Sequence, residues 1–144
     1  MDVAFDKEIE CISVDVDSDS SRLLPSNLID IIVDEISNCK LLLQLDLSEN
    51  LLQGEISQNL YNLSNLVYLD LHHNQLNGSI PSTIENLSNL HFLNISQNTL
   101  FGSIPVTLGD LQNLNHFNLS YNLSSDAIPS IESIQKFGPS AFFS

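Results

Sequence analysis

Apolar residues recur along this chain in a fixed frame. Leu-x-x-Leu-x-Leu leads, after two further positions, to Asn four times over, as LDLSEN ending at Asn50, LDLHHN at Asn74, LNISQN at Asn98 and FNLSYN at Asn122, with one constant 24-residue offset. The same offset aligns Leu42, Leu66, Leu90 and Leu114; Leu45, Leu69, Leu93 and Phe117; Leu47, Leu71, Ile95 and Leu119; and Ile56, Ile80, Ile104 and Ile128. Two apolar residues spaced two apart point to one face of a short strand, with the residues between them pointing to the other. Each unit is therefore one strand-bearing turn that cannot bury its apolar edge alone and must stack on its neighbours. The pattern predicts an α/β solenoid, a curved right-handed stack of 24-residue turns with a parallel sheet on its concave face.

The Asn that follows each strand has to turn the chain inward while buried. Its side-chain amide offers both donor and acceptor to backbone groups of its own and adjacent turns, so Asn50, Asn74, Asn98 and Asn122 are expected to form an internal ladder. The second half of each unit reads LQGEIS, LNGSIP, LFGSIP and, altered, SSDAIP. Gly54, Gly78 and Gly102 allow backbone angles that other residues resist, while Pro81, Pro105 and Pro129 fix the outgoing direction. One further period upstream, Leu23, Leu28, Ile32 and Ile36 fall at apolar positions, so a degenerate turn is expected over 21–38, before four clear turns over 39–130.

Composition sharpens this division. Leu, Asn and Ser occupy 62 of the 144 positions, a bias that repetition explains and a compact enzyme does not. The net charge is −14, and residues 1–35 alone hold ten acids against Lys7 and Arg22. Residues 1–20 are thus expected to be a poorly ordered acidic leader. So acidic a chain disfavours nucleic acid and anionic membrane as partners. No signal peptide and no apolar run long enough to span a bilayer is visible.

The constellation L-x-x-L-x-x-L-x-L-x-x-N-x-L-x-G-x-I-P, repeated from Cys39 to Pro129, resembles the plant-specific class of leucine-rich repeats. That class occurs in the extracellular parts of receptor-like kinases and receptor-like proteins and in secreted inhibitors of cell-wall-degrading enzymes. The resemblance implies a module that binds a protein or peptide, with a co-receptor among the candidate partners, at the extracellular face of the plasma membrane or in the cell wall space. Residues 128–144 are similar to the segment after the last repeat in such receptors, and 131–144 are expected to be a truncated flank that exposes the core at Phe142 and Phe143. Family members open with a Cys- and Trp-containing cap, whereas this chain has no Trp and only Cys11 there. Cys39 falls at a core Leu position, which suits a buried free thiol; a Cys11–Cys39 bridge is the alternative.

Outward strand positions form aligned columns and define the expected recognition face. Gln44, Tyr68, Phe92 and His116 make one column; Asp46, Asp70, Asn94 and Asn118 the next; Ser48, His72, Ser96 and Ser120 a third; Glu49, His73, Gln97 and Tyr121 a fourth. Within these, Tyr68, Asp70, His72, Phe92, His116 and Tyr121 are the candidate ligand contacts, since aromatic residues beside acids suit an extended peptide or protein surface. Asn-x-Ser sequons place candidate glycans at Asn62, Asn77, Asn86, Asn94 and Asn118, and a sixth sequon coincides with Asn122. His72–His73 lacks a third ligand at metal-binding spacing, Asp46 and Asp70 lack a cleft, and no kinase motif is present, so neither cofactor, metal nor catalysis is expected. The readings are a receptor-type binding module, a soluble interaction or inhibitor protein, and a receptor fragment without a role of its own.

Overall fold

The computed structural model describes residues 13–15, 41–123 and 132–142. Five three-residue strands form one parallel sheet: β1 (Ser13–Asp15), β2 (Gln44–Asp46), β4 (Tyr68–Asp70), β6 (Phe92–Asn94) and β7 (His116–Asn118), in that order. Gln44 is in register with Tyr68, Tyr68 with Phe92 and Phe92 with His116, which is the repeat offset made into a sheet. A second parallel pair, β3 (Gln53–Glu55) and β5 (Gln75–Asn77), flanks it. The chain continues beyond β5 in the same manner, with Thr99 N–H donating to Leu76 O and Phe101 N–H to Gly78 O.

Opposite the main sheet, each turn closes through a single 3₁₀ helix, at Gln58–Asn62, Ser82–Asn86 and Val106–Asp110. A turn that has already spent most of its length on two extended segments leaves too few residues there for a stable α-helix. Pro81 and Pro105 hold extended geometry directly before two of these helices, and the Ser57 side chain accepts from Asn59 N–H before the third. Gly54, Gly78 and Gly102 have φ of 96°, 77° and 83°, the left-handed region in which a Cβ is strained.

The core is a stack of leucines. Each aligned apolar column is buried from Leu42 to Leu119, and Leu63, Leu87 and Leu111, the equivalents of Cys39, are buried as well. Cys39, Cys11 and the question of their pairing lie outside the described residues, as do 21–38, Pro129 and Phe143.

Two expectations change. The strand beside β2 does not come from one repeat length upstream, since β1 pairs Ser13 with Gln44 and Asp15 with Asp46, a longer step. It lies inside the stretch expected to be a disordered leader. The C-terminal segment also differs, because it packs on the last turn. The short helix α1 (Glu132–Gln135) and a 3₁₀ turn at Pro139–Ala141 lay Ile134 and Phe142 into the core, with Phe142 only 4% exposed. Phe117, which replaces the Leu of earlier turns, has its ring 5.4 Å from Phe142 and 5.7 Å from Phe137. Leu119 N–H donates to Ala141 O, and the Lys136 ammonium to Leu114 O. These contacts occupy the place where a further turn would stack, so Phe142 seals the core rather than exposing it.

Candidate functional site

The ladder asparagines set the frame on which the concave face is carried. Asn74 donates to Leu71 O and His72 O of its own turn and to Leu47 O of the preceding one, while its Oδ1 accepts from Leu52 N–H. Asn98 repeats this with Ile95, Ser96, Leu71 and Leu76, and Asn122 with Leu119, Ser120, Ile95 and Leu100. Asn50, Asn74 and Asn98 are 5%, 8% and 7% exposed, and Asn122 is half-buried. A second ladder escapes the sequence reading although its signal was the same repeat spacing: Asn89 donates to Ser64 O and Asn113 to Ser88 O.

On this frame the first outward column becomes a stack of rings. Tyr68 and Phe92 lie 4.3 Å apart between centroids at 12°, and Phe92 and His116 lie 4.3 Å apart at 3°. The strand spacing of about 4.8 Å brings in-register rings to stacking distance without distorting either backbone. Because the faces meet one another along the sheet, the ring rims are what the stack presents to solvent.

The second column caps the strands. Asp46 Oδ1 accepts from Ser48 N–H and Oγ–H, Asn94 Oδ1 from Ser96 N–H and Oγ–H, and Asn118 Oδ1 from Ser120 N–H. Asp70 does the same for His72 N–H and is tied further, since its Oδ1 lies 2.8 Å from His72 Nδ1 and its Oδ2 accepts from the Tyr68 hydroxyl. Asp70 is buried, and its carboxylate reaches a ligand only through the positions it gives Tyr68 and His72.

The fourth column differs from its fellows in backbone. Glu49, His73, Gln97 and Tyr121 all have φ between 53° and 56°, just past the strand ends. The left-handed turn swings Glu49 across to the next turn, where Oε1 lies 3.7 Å from His72 Nε2. Period-two spacing could not show that pairing, because it assigns the two residues to different columns. Tyr121 stands exposed on the rim, apart from the ring stack that joins Tyr68, Phe92 and His116.

Of the sequon asparagines, Asn62, Asn77 and Asn86 are exposed away from the main sheet. Asn94 and Asn118 are half-buried on the concave face and engaged in caps. Among the described residues no three His, Cys, Asp or Glu side chains converge as a metal site, and no helix is long and apolar enough to cross a membrane.

A family model described as Leucine Rich Repeat matches residues 65–87 and 89–111. No curated protein sequence matches the chain significantly. Among solved structures, the BIR2 ectodomain from Arabidopsis thaliana is 39% identical with a TM-score of 0.72, over 76% of this chain and 58% of that one. A chain of the BIR3–SERK2 complex from the same plant is 38% identical with a TM-score of 0.72, over 83% of this chain and 59% of that one. The ectodomain of the receptor kinase SOBIR1, also from Arabidopsis thaliana, is 34% identical with a TM-score of 0.64, over 75% and 58%. The chain thus spans about three fifths of the length of these relatives. Repeat pattern, one strand per turn in a parallel sheet and these similarities together place the chain in the leucine-rich repeat family, of the plant type seen in the receptor ectodomains it is similar to.

Proposed function

We propose that this chain is a protein-binding module that works outside the cell and takes its partner on the concave sheet, with no chemistry of its own. The observation that carries the reading is the ring stack of Tyr68, Phe92 and His116, which crosses three strands. Rings locked by stacking lose little freedom when a partner covers them, so their contact area converts to affinity at low entropic cost. The ladder asparagines hold the strands beneath in fixed register, which keeps the stack preformed.

The partner class follows from the relatives. Because BIR3 is seen in complex with SERK2, a second leucine-rich ectodomain of co-receptor type is the first partner to try, followed by secreted peptides. Tyr68→Ala combined with Phe92→Ala is expected to weaken capture of such an ectodomain at least tenfold, about 1.4 kcal/mol or more, in biolayer interferometry. Circular dichroism of the double variant should match the parent. Unchanged capture by a folded double variant refutes the concave site, and loss of the fold assigns the rings to structure instead.

A further inference from the structure

The concave face carries more charge than its architecture uses. Asp46 and Asp70 cap their strands through one carboxylate oxygen, and Asn94 and Asn118 do so equally well in the turns that follow. Because the buried Asp70 carboxylate is also engaged by Tyr68 and His72, it is at Asp46 that a neutral amide would suffice and the negative charge is surplus to the fold. It is also unfavourable by itself, since Asp46 and Asp70 are in register on neighbouring strands and like charges so placed repel. Glu49 adds a third carboxylate, with its side chain 68% exposed, and its described contact is with His72. From residue 41 to residue 123 there is no Lys or Arg to offset any of them.

The face is thus graded. Carboxylates gather on β2 and the turn after it, the ring stack follows across β4, β6 and β7, and the corresponding cap positions beyond are amides. We infer that the occupant of this face is a cationic polypeptide segment. It lies across the strands, with aliphatic side chains over the rims of Tyr68, Phe92 and His116 and a Lys or Arg reaching Glu49 and Asp46. This deepens the binding reading above and rests on it. An acidic or neutral segment would leave Asp46 and Glu49 facing no Lys or Arg, which costs affinity and selects against such partners.

The test is selection of a random peptide library displayed on phage against the full chain, followed by affinity measurement of the enriched peptides by fluorescence anisotropy. The expected pool is rich in Lys and Arg beside aliphatic residues. Its peptides should bind Asp46→Asn/Glu49→Gln about three- to tenfold more weakly than the parent, the range for two partly exposed charge contacts. Glu85→Gln/Asp110→Asn removes equal charge from exposed positions in the 3₁₀ helices on the opposite side and should leave affinity within error. Equal losses in both variants would mean that the overall field attracts the peptides, and the inference falls. A pool without basic bias that still depends on Tyr68 and Phe92 overturns the inference and keeps the binding reading. No enrichment, or peptides indifferent to Tyr68→Ala/Phe92→Ala, overturns both.

Discussion

Asn98 is the residue on which the solenoid's cohesion can be tested most sharply. Its amide donates to Leu71 O at 3.0 Å, Ser96 O at 3.1 Å and Ile95 O at 3.2 Å, and its Oδ1 accepts from Leu76 N–H at 2.9 Å. The three carbonyls keep other donors when the amide is removed, since Asn74 reaches Leu71 O, Asn122 reaches Ile95 O and His73 N–H reaches Ser96 O. Leu76 N–H instead loses its acceptor, Asn98 Oδ1, and its residue is fully buried. Asn98→Ala thus orphans one buried donor, at about 1–3 kcal/mol, and deletes the bonds of two amide hydrogens, at about 0.5–1.5 kcal/mol each. The expected loss is about 3 kcal/mol, or about 10 °C in Tm for a chain of this size. Urea unfolding followed by circular dichroism measures it, with exposed Asn115→Ala as the reference. Asn98→Asp refines the test, because it retains the acceptor for Leu76 N–H but sets a carboxylate against three carbonyl oxygens. It should be less stable than Asn98→Ala at neutral pH and recover in acid. A loss below about 1 kcal/mol for Asn98→Ala, within the range of a surface change, would refute the ladder as the source of inter-turn cohesion.

Other consequences are equally specific. At Gly78 an added Cβ would lie 2.7 Å from Glu55 Cγ, whereas at Gly102 the nearest atom is Ser79 Cβ at 3.6 Å. Gly102→Ala should cost about 1 kcal/mol from its left-handed backbone alone, Gly78→Ala clearly more, and the difference in urea midpoint should shrink in a Glu55→Ala background. Burial pushes the Tyr61 hydroxyl above its ordinary value near 10. The folded state holds that proton more tightly, so its contribution is complete below pH 10 and lost as pH rises further. Tyr61→Phe should flatten that alkaline decline in urea midpoint, and an unchanged slope would contradict it. Phe142→Ala should loosen the C-terminal segment and speed tryptic cleavage after Lys136, whose ammonium is otherwise held by Leu114 O. An unaltered cleavage rate would show that Phe142 does not seal the end.

How far the sequence could be read depended on whether a feature repeats. Core columns, ladder asparagines and left-handed glycines recur turn after turn, so the copies averaged out the substitutions at any one, such as Phe117 for Leu. The step from Ser13 to Gln44 is longer than one period and has no second copy, so a fixed offset passed over β1. The C-terminal closure is likewise a single-use set of contacts, in which Phe137 and Phe142 meet the ring of Phe117. On the concave face the columns were legible from alternation, but chemistry within them was not. That Asp70 is consumed by Tyr68 and His72, and that Glu49 crosses to His72, follows from hydrogen bonding and a positive φ that no residue type announces.

The central claim is that the ring stack is where a partner sits. Side-chain NMR of Tyr68, Phe92 and His116, recorded during titration with the ectodomain or selected peptide that binds, tests it directly. The account predicts that these ring resonances shift and saturate with the binding curve, while Thr83 and Thr107 methyl signals on the 3₁₀ side stay in place. Shifts confined to Thr83 and Thr107, with the rings unmoved at saturation, would contradict it.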